Sequence, residues 1–478
     1  MSDSGMLLAK IREGQILTSS EKLRLIINLS IPSILAQMTS TLMFFIDAAM
    51  VGSLGAKASA AVGIVESTTW LFGSLTSAAS MGFGVQVAHR IGANDFKGAR
   101  RVMRTGLTTV LLFTLILCSL AVIVHSRLPY WLGGGADIAH DASLYFLIFS
   151  LTIPVFQFNN FCTNMLKSSG NMKTPSILSI SMCVLNTVFN FFCIYPTREI
   201  NIFSIPITMP GLGFGVAGAA MGTSLSYIVV SAFFARSTFW KSPIMALKHD
   251  RGEHVSWRPN FRYLKKAFGI SAPLGLQYSL MNGAQMVSTI IVAPLGNFAI
   301  AANSFAITAE ALCYMPGFGI AEAATTLVGQ SIGARRIELC KSLAYRSLAL
   351  GMAVMAFMGL IMYVFAPELM GLMTPVQEII DLGVQALRIE AFAEPMFAAA
   401  IVCSSCMVGA GDTIIPAFMN LASMWGVRLT IAAWLAPMWG LAGAWTGMAI
   451  ELTFRGSIFM YRLIKGNWLK KALKAQQA

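Results

Sequence analysis

Long apolar stretches alternate with short polar segments along the whole chain. An α-helix needs about 20 mostly apolar residues to cross a bilayer, and twelve stretches meet this criterion by hydropathy. They cover roughly residues 27–53, 60–87, 103–126, 142–168, 174–196, 213–236, 267–294, 298–328, 343–366, 380–409, 414–437 and 440–463. The pattern predicts an all-α polytopic membrane protein with twelve transmembrane helices.

The second half of the chain repeats the first at a constant shift of 241 positions. The matched landmarks are Pro32 with Pro273, Leu54-Gly55 with Leu295-Gly296, Ile91-Gly92-Ala93 with Ile332-Gly333-Ala334, Gly170 with Gly411, and Pro175 with Pro416. Each half has six spans, an even number, so both halves have the same orientation in the membrane. The sequence therefore predicts two six-helix lobes related by a pseudo-twofold axis along the membrane normal, a plan that is common among transporters.

Positively charged residues are concentrated on one side of the membrane that the predicted spans cross. Of the 34 Lys and Arg residues, 28 lie in the segments that are cytoplasmic if the N-terminus is inside, and three lie in the opposite loops. Because cytoplasmic loops carry an excess of Lys and Arg, both termini are predicted to be cytoplasmic. The same asymmetry accounts for the net charge of +13 without a nucleic-acid partner. The predicted segments are a cytoplasmic N-terminal segment 1–26, an N-lobe 27–236, a cytoplasmic linker 237–266, a C-lobe 267–463 and a basic cytoplasmic tail 464–478.

Composition removes several other classes of protein. Charged residues make up 12% of the chain and hydrophobic residues 56%, whereas a soluble domain has about 25% charged residues. The sequence shows no phosphate-binding loop and no nucleophile elbow, and its five histidines lie at span ends or in loops. We therefore expect neither an enzyme nor a metal site, and no catalytic residues or cofactor.

One carboxylate, Asp47, lies inside the first span between apolar neighbours. An ionised carboxylate at membrane depth costs about 2.5–3.5 kcal/mol on insertion scales, and such a residue commonly serves as a proton or ion site facing a cavity. The nearby Gly52 and Gly55 also allow a helix end at which Asp47 reaches the headgroups. Because its side chain is short, we favour the ion site.

Amide side chains on other spans are candidate partners for this carboxylate. Asn186 and Asn190 are four residues apart and share one face of the fifth span. Amides can donate to a buried carboxylate and accept from its protonated form. Asn160 and Asn164 have the same spacing in the fourth span, and the sixth span offers Thr223. Ordinary interhelical hydrogen bonding is an equal alternative for the first pair and the favoured one for the other residues.

Further carboxylates lie within the spans of the second half. Glu310, Glu322 and Glu394 have no obvious sequence partner, so each is a candidate secondary cation or substrate site. Arginines such as Arg388 or Arg428 could instead neutralise them. Because unpaired buried carboxylates are costly, we expect at least one of the three to be paired with an arginine or a backbone donor.

Two other observations concern the second half. Glu451 lies one helical turn before Arg455, which predicts an ion pair. Asp47 aligns with Ser288 under the repeat, so the carboxylate of the first span is not duplicated. The two lobes must therefore differ in chemistry.

Several motifs together resemble those of the multidrug and toxic compound extrusion (MATE) transporters over nearly the whole chain. They are Phe45-Ile-Asp47-Ala-Ala-Met-Val-Gly52, His89-Arg-Ile-Gly-Ala-Asn-Asp-Phe-Lys-Gly-Ala-Arg100 with Gln330-Ser-Ile-Gly-Ala-Arg335, and Leu166-Lys-Ser-Ser-Gly-Asn-Met-Lys-Thr-Pro175 with Val408-Gly-Ala-Gly-Asp-Thr-Ile-Ile-Pro416. The resemblance implies export of cationic or amphipathic compounds in exchange for H⁺ or Na⁺, with no other cofactor.

The resemblance also implies site residues. It assigns the cation-coupling carboxylate to Asp47, the polar pair of the fifth helix to Asn186 and Asn190, and the sixth-helix threonine to Thr223. The chain departs from the family in two places. Many proton-coupled members have aspartate where Asn190 stands, and members with a second-lobe cation site have a glutamate in the seventh helix, where this chain has none.

These observations predict a secondary active multidrug exporter that works by alternating access. We expect a monomer in the cell (plasma or inner) membrane, surrounded by lipid, with small cationic or amphipathic substrates. The alternatives are a lipid or oligosaccharide flippase of a related fold and, from another class, a membrane-embedded enzyme. A flippase should have a strongly basic cavity, and Arg428 is nearly alone among mid-span candidates.

Overall fold

The computed structural model describes residues 3–202, 205–250 and 257–470, most of which are helical. The first half contains α1 (Asp3–Arg12), α2 (Ser19–Gly52), α3 (Ala56–Gly92), α4 (Phe96–Val124), α5 (Leu128–Trp131), α6 (Ala136–Ser168), α7 (Lys173–Ile194), strands β1 (Pro196–Ile202) and β2 (Ile205–Leu212), and α8 (Gly215–Ala235) with a π-helical extension (Arg236–Lys241). The second half contains short 3-10 turns (Leu247–Asp250, Ala293–Leu295 and Asn467–Leu469), α9 (Phe261–Val292), α10 (Asn297–Gly333), α11 (Ile337–Val364), α12 (Ala366–Gly371), α13 (Gln377–Ala391), α14 (Glu394–Gly409), α15 (Ile414–Leu421), a π-helical segment (Ala422–Arg428), α16 (Leu429–Trp439) and α17 (Leu441–Lys465).

The predicted twelve-helix, two-lobe architecture is confirmed. Within the described residues, eight helices have the length and hydropathy to cross a bilayer, and the bent pair α13–α14 makes a ninth span. The remaining three, α3, α9 and α17, have 37, 32 and 25 residues and stand where the second, seventh and twelfth spans were predicted. The basic tail predicted at 464–478 lies outside the described residues from 471 onward.

Several helices begin earlier than hydropathy predicts, because polar residues cap their first turns. Thr18 and Glu21 form a capping box that starts α2 eight residues before the predicted span. Asp95 accepts the Gly98 N–H at 2.8 Å at the start of α4, and Asn260 accepts the Arg262 N–H at 3.0 Å at the start of α9. These caps satisfy N–H groups that have no partner within the helix.

The internal repeat is visible in the backbone. α3 and α10 each have 37 residues, and both their ends are related by the shift of 241. The loops after them contain Asn94 and Arg335, again 241 positions apart, with φ of 57° and 59°. Positive φ is uncommon for residues other than glycine, so two such residues in matched positions mark the same turn built twice.

The two lobes meet where α3 and α10 cross near their C-terminal ends. A Cβ added to Gly92 would lie 2.7 Å from the carbonyl carbon of Gln330, and one added to Gly333 would lie 2.7 Å from that of His89. Gly92 corresponds to Gly333 and His89 to Gln330 under the repeat, so the pseudo-twofold axis passes through this contact. We call it the glycine crossing.

A symmetric pair of hydrogen bonds flanks the glycine crossing. The His89 imidazole Nε2 donates to the Gly409 carbonyl of the other lobe at 2.8 Å. The Gln330 amide donates to the Ser168 carbonyl, also at 2.8 Å. Ser168 and Gly409 are themselves 241 positions apart, so one interaction is made twice with different side chains. Together these four residues hold the two lobes to each other near the C-terminal ends of α3 and α10.

The lobes part toward the opposite end. Ser74 of α3 and Asn282 of α9 make a hydrogen bond of 3.3 Å, and the other inter-lobe hydrogen bonds of the described residues lie on the crossing side of it. Beyond it, Phe44 and Trp70 contact each other at 5.6 Å between ring centroids and remain 39% and 52% exposed. Phe318 of α10 is also 39% exposed. The two lobes therefore bound a cleft that is closed at one end and open at the other.

The linker between the lobes is anchored to α4. The Arg100 guanidinium donates to Asp250 Oδ1 at 2.7 Å, and Arg104 pairs with Oδ2 of the same carboxylate. Burial alone disfavours the ionised carboxylate, but the two guanidiniums outweigh it and hold the pKa of Asp250 below its ordinary value. This contribution to stability is therefore present at neutral pH and is lost as the pH falls through that lowered pKa.

An antiparallel hairpin of β1 and β2 interrupts the repeat between α7 and α8. Arg198 lies over the rings of Phe191 and Tyr195, at 4.6 and 4.1 Å from their centroids. The Tyr195 hydroxyl also contacts Ser53 Oγ at 2.6 Å. These contacts fix the base of the hairpin on the N-lobe, at the open end of the cleft.

The glycine crossing yields a stability prediction. Gly92→Ala forces a methyl group against the backbone of α10, and overpacking of this kind costs roughly 1–3 kcal/mol. We expect a lower thermal unfolding temperature for the purified protein in detergent. Gly63→Ala in the same helix is the matched control, since no atom lies within 4 Å of its Cβ position. Equal unfolding temperatures for the two variants would contradict the close contact.

Candidate functional site

The carboxylate of the first span meets the amide pair of the fifth. Asn186 and Asn190, on one face of α7, both donate through Nδ2 to Asp47 Oδ1 of α2, at 2.5 and 2.7 Å. Both amides are fully buried, and Asp47 is half-buried. The predicted geometry, two amides on a shared face aimed at one carboxylate, is therefore present.

Several oxygen atoms in this N-lobe site have no partner among the described residues. They are Asn186 Oδ1 and Asn190 Oδ1, which are buried, and Asp47 Oδ2, which accepts no hydrogen bond. Carboxylate and amide oxygens are the ligands that hard cations prefer, and a free carboxylate oxygen can also take a proton. Asp47 Oδ2 can thus take a proton or a cation while Oδ1 keeps its two hydrogen bonds. The Asn190 oxygen lies against Gly222 of α8.

The sixth-span threonine, Thr223, lies on α8 beside the contact of that helix with α7. Within the described residues, the Thr223 hydroxyl makes no hydrogen bond to Asp47. Its neighbour Gly222 packs against Asn190 instead, and a Cβ there would lie 2.7 Å from the Asn190 backbone nitrogen. α8 therefore supports α7 from behind the site through close backbone contact.

The amides of the fourth span make structural hydrogen bonds. Asn160 donates to Ser77 Oγ of α3 at 3.4 Å, and Asn164 donates to the Asn160 carbonyl at 3.0 Å within α6. Neither bonds to Asp47. These contacts match the alternative of ordinary helix packing that the sequence favoured for this pair.

Glu322 lies at the junction between the lobes. Its Oε2 accepts from Lys167 Nζ of α6 at 2.7 Å, and its Oε1 accepts from the Gln37 amide of α2 at 2.9 Å. Of the three glutamates singled out in the sequence, this one is paired, with a lysine rather than an arginine. It links the lobes near the closed end.

Three other glutamates gather inside the C-lobe. Glu310 of α10, Glu390 of α13 and Glu394 of α14 each offer a carboxylate oxygen within 4.8 Å of the others, in a geometry that could hold a metal ion. All three are buried, and no nitrogen or oxygen donor bonds to Glu390 or Glu394 among the described residues, although the Cys313 thiol interacts with Glu394. We call them the carboxylate trio. The tenth span bends by 56° between α13 and α14, so the trio sits at the break, as ion sites on discontinuous helices do.

Charged neighbours surround the carboxylate trio. Glu451 accepts from Ser423 Oγ at 2.6 Å and lies 3.1 Å from Arg455 Nε, so the predicted ion pair is confirmed as a charge contact, although Nε is not aligned for a hydrogen bond. The charge of Arg428 acts on two members of the trio without a direct ion pair among the described residues. Four carboxylates thus face two guanidiniums. The excess negative charge requires protons or a bound cation, because uncompensated buried charge is very costly.

Sequence reasoning did not select Glu390, and one of its suggested partners lies elsewhere. Arg388 donates to the Tyr363 carbonyl at 3.4 Å and covers the Tyr363 ring, so it does not neutralise the trio. The spacing of Glu390 and Glu394, four residues apart in an apolar span, was the available signal. The sequence predicted no metal site because it offered no cluster of histidine or cysteine.

The lobed bundle, with a cleft between its halves, a half-buried carboxylate in the N-lobe and buried carboxylates in the C-lobe, is that of a multi-pass membrane transporter. A sequence model of the MatE family matches residues 32–192 and 273–434, one match in each half. The chain belongs to the MatE family.

Relatives align along nearly the entire chain. The "Probable multidrug resistance protein NorM" of Thermotoga maritima is 24% identical over 454 residues, covering 95% of this chain and 94% of the relative. The "Uncharacterized transporter YisQ" of Bacillus subtilis is 23% identical over 434 residues, covering 89% and 91%.

Solved structures share the fold. A crystal structure of MATE in complex with MaL6 superposes with a TM-score of 0.85 at 22% identity, covering 95% of this chain and 97% of the other. The outward-facing conformation of a multidrug resistance MATE family transporter superposes with a TM-score of 0.84 at 21% identity, covering 98% and 99%.

The charges around the trio generate a prediction about stability. Arg455→Leu leaves Glu451 buried without its partner, and breaking a buried pair in this way costs about 3–5 kcal/mol. We expect a correspondingly lower free energy of unfolding in detergent titrations. Replacing both residues with leucine should recover most of the loss, since the uncompensated charge is then absent. A double variant as unstable as the single one would mean that the two charges do not stabilise each other.

Proposed function

We propose that this protein is a secondary active exporter that exchanges cationic or amphipathic organic compounds for H⁺ or Na⁺ by alternating access. The observation that carries the proposal is Asp47, held through one oxygen by two buried amides while its other oxygen stays available. A carboxylate in this state can exchange one cation for another without loss of its position.

The cleft supports substrates of this class. The helices at the interface between the lobes, α2, α3, α9 and α10, carry exposed aromatic and thioether side chains, among them Phe44, Trp70, Met286 and Phe318. Rings attract organic cations through their faces, and methionine adapts to ligands of varied shape. The names of the NorM relatives and of the outward-facing structure, which refer to multidrug resistance, agree with this choice.

Helix α2 provides a path from the ion site to the inter-lobe contacts. It holds Asp47 against α7, and ten residues earlier Gln37 bonds to Glu322 of α10. At 1.5 Å per residue the two positions are about 15 Å apart along one rigid helix. Ile34, on the same helix, packs so closely on Gly319 that a Cβ there would lie 2.6 Å from the Ile34 Cα. A shift of α2 on loading of Asp47 therefore acts directly on the junction between the lobes.

This arrangement gives the coupling ion a different affinity for each of the two conformations, which exchange requires. A ligand shifts a conformational equilibrium only by its difference in affinity for the two states. Binding of H⁺ or Na⁺ removes the negative charge of Asp47, which alters the attraction between α2 and the amides of α7. Substrate cations compete for the same charge, so occupancy by the coupling ion favours release of the substrate.

The carboxylate trio is proposed as a second cation site. Its excess negative charge is compensated by protons or by a metal cation such as Na⁺, bound at the break of the tenth span. Glu310 belongs to α10, which also forms the glycine crossing, so occupancy of the trio acts on the C-lobe side of the junction. The trio would substitute for the seventh-helix glutamate of other family members.

The orientation follows from the charge asymmetry of the sequence. With both termini in the cytoplasm of a cell or inner membrane, the closed end faces the cytoplasm and the cleft opens outward. The similarity to an outward-facing relative agrees with this orientation. In this state the coupling ion enters from the outside, where a proton or sodium gradient supplies it.

The central test replaces Asp47. Asp47→Asn retains the size of the side chain but removes its charge, so gradient-driven substrate efflux from proteoliposomes should fall to background. H⁺ and Na⁺ gradients are imposed separately, which identifies the coupling ion. Asp137→Asn is the matched control, because Asp137 is exposed at the start of α6 and pairs with Lys57 at the start of α3 at 3.7 Å; its efflux should equal that of the wild type.

Wild-type efflux by Asp47→Asn under the same gradient would refute the role of Asp47. Lipid scrambling or a turnover product in vesicles without substrate efflux would instead favour the flippase or enzyme alternatives. Circular dichroism of each variant verifies that folding is intact.

A second prediction concerns the trio. Glu394→Gln removes one carboxylate from the trio. The two that remain attract a cation less strongly, because the Coulomb energy of a pair of charges is large in a buried site. Efflux at a limiting gradient should therefore fall about tenfold. Glu378→Gln, an exposed position at the start of α13, is the control and should leave efflux unchanged. An unaltered rate for Glu394→Gln at every gradient would exclude the trio from coupling.

A further inference from the structure

The beginning of the chain bridges both lobes at the closed end. Residues 3–22, comprising α1, the turn after it and the first residues of α2, run across the loops that follow α3 and α10. The segment is held in its folded-back course by the ion pair of Lys10 with Glu21 at 2.6 Å and of Asp3 with Arg24 at 2.8 Å. We call it the N-terminal strap.

Polar contacts attach the strap to the C-lobe. Arg336 Nη1, in the loop after α10, approaches three strap carbonyl oxygens, those of Lys10 at 3.3 Å, Ile11 at 3.4 Å and Gln15 at 2.7 Å. These carbonyls come from the end of α1 and the turn beyond it. Those of Lys10 and Ile11 also accept the backbone N–H groups of Gln15 and Gly14, at 3.0 and 3.4 Å. One guanidinium thus caps α1 from the opposite lobe.

A second row of contacts joins α11 to the start of α2. Arg346 Nη2 donates to Ser19 Oγ at 2.5 Å, and Lys22 Nζ donates to Ser342 Oγ at 3.2 Å. These bonds continue the line begun by Arg336 along the C-lobe surface. The C-lobe therefore holds the strap in its middle and at its C-terminal end.

The N-lobe holds the opposite side of the strap. The Asn94 amide donates to the Arg12 carbonyl at 3.1 Å, and the Arg12 guanidinium lies 5.8 Å from the centre of the Phe96 ring. Leu8 packs against Gly170, where a Cβ would clash with Leu8 Cδ1 and where the φ of +86° favours glycine. Asn94 is the repeat counterpart of Arg335, so the two matched loops flank the strap on either side.

An apolar seam lies under these polar contacts. Leu7, Leu8 and Ile11 of the strap are buried. They belong to one cluster with residues of both lobes, namely Met172 of the N-lobe and Ala323, Leu327, Leu339 and Leu343 of the C-lobe. Separating the lobes at this end exposes this cluster to water, which costs about 25 cal/mol for each Å² of apolar surface.

From these contacts we propose that the N-terminal strap is a latch that sets the balance between the two conformations of the transporter. Its bonds to both lobes exist only while the closed end is closed, so they stabilise that state and must break before the cleft can open there. The inference rests on the alternating access proposed above, but it concerns the position of the equilibrium and not the coupling ion. The glycine crossing holds the closed end from the interior, and the strap holds it from the surface.

The test measures the lobe positions directly. Spin labels at Lys57 and Phe298, counterparts under the repeat at the open ends of α3 and α10, report the width of the cleft by pulsed electron paramagnetic resonance. Both positions are exposed, and seven of the eight native cysteines are buried, so replacing Cys118 with serine leaves the two introduced cysteines as the reactive ones. No substrate or gradient is needed, so the result is independent of whether transport is observed.

Arg336→Gln removes the guanidinium that bonds three strap carbonyls, and the short-distance population should rise about tenfold relative to the long-distance one, because charge-assisted bonds to one state are lost. Arg335→Gln is the matched control: it removes the same charge from the same loop, but Arg335 shows no side-chain bond in the described part of the chain. Its distances should equal those of the wild type.

Leu8→Ala tests the apolar seam without altering charge and should shift the distances in the same direction as Arg336→Gln. Wild-type distance distributions for both variants would overturn the proposal, as would equal shifts for Arg335→Gln and Arg336→Gln. Efflux measurements on the same proteins separate this result from the proposed function, since loss of the latch changes distances even in a protein that also carries Asp47→Asn.

Discussion

The contact on which the rest of the structure depends is the approach of two backbones at Gly92 and Gly333. No side chain separates α3 from α10 at this point, so the lobes meet more closely here than helices with side chains between them can. That closeness brings His89 and Gln330 within reach of carbonyls on the opposite lobe. Because the helices diverge from one tight crossing, a cleft necessarily widens toward their other ends.

A symmetric framework holds an asymmetric chemistry. Asp47 corresponds to Ser288 under the repeat, while Glu390 and Glu394 correspond to Phe149 and Ile153. Each lobe therefore has carboxylates where the other has neutral residues, although their backbones follow the same course. Helix packing depends on shape and small residues, which the repeat preserves, whereas ion binding depends on a few side chains that can change without disturbing the packing.

Hydropathy and the repeat were sufficient to predict the spans and the two lobes, because the bilayer imposes helix length and polarity on each span separately. The contact of Asp47 with Asn186 and Asn190 was one of two equal alternatives from the sequence, since two amides on one helix face can bind a carboxylate or join neighbouring helices. By contrast, the partner of Glu322 is Lys167, 155 residues away, and only the packed structure brings them together. The same holds for the trio, whose members come from separate helices. It also holds for α1, whose apolar face packs against residues of both lobes.

The length of α3 and α10 turns the glycine crossing into a lever. Each helix has 37 residues and is thus about 55 Å long at 1.5 Å per residue. With the fulcrum near their C-terminal ends, a tilt of about 10° carries the far ends through about 10 Å by geometry alone, for helices of this rise. A displacement at the fulcrum too small to break a van der Waals contact is thereby magnified into one that can admit or exclude a whole organic molecule.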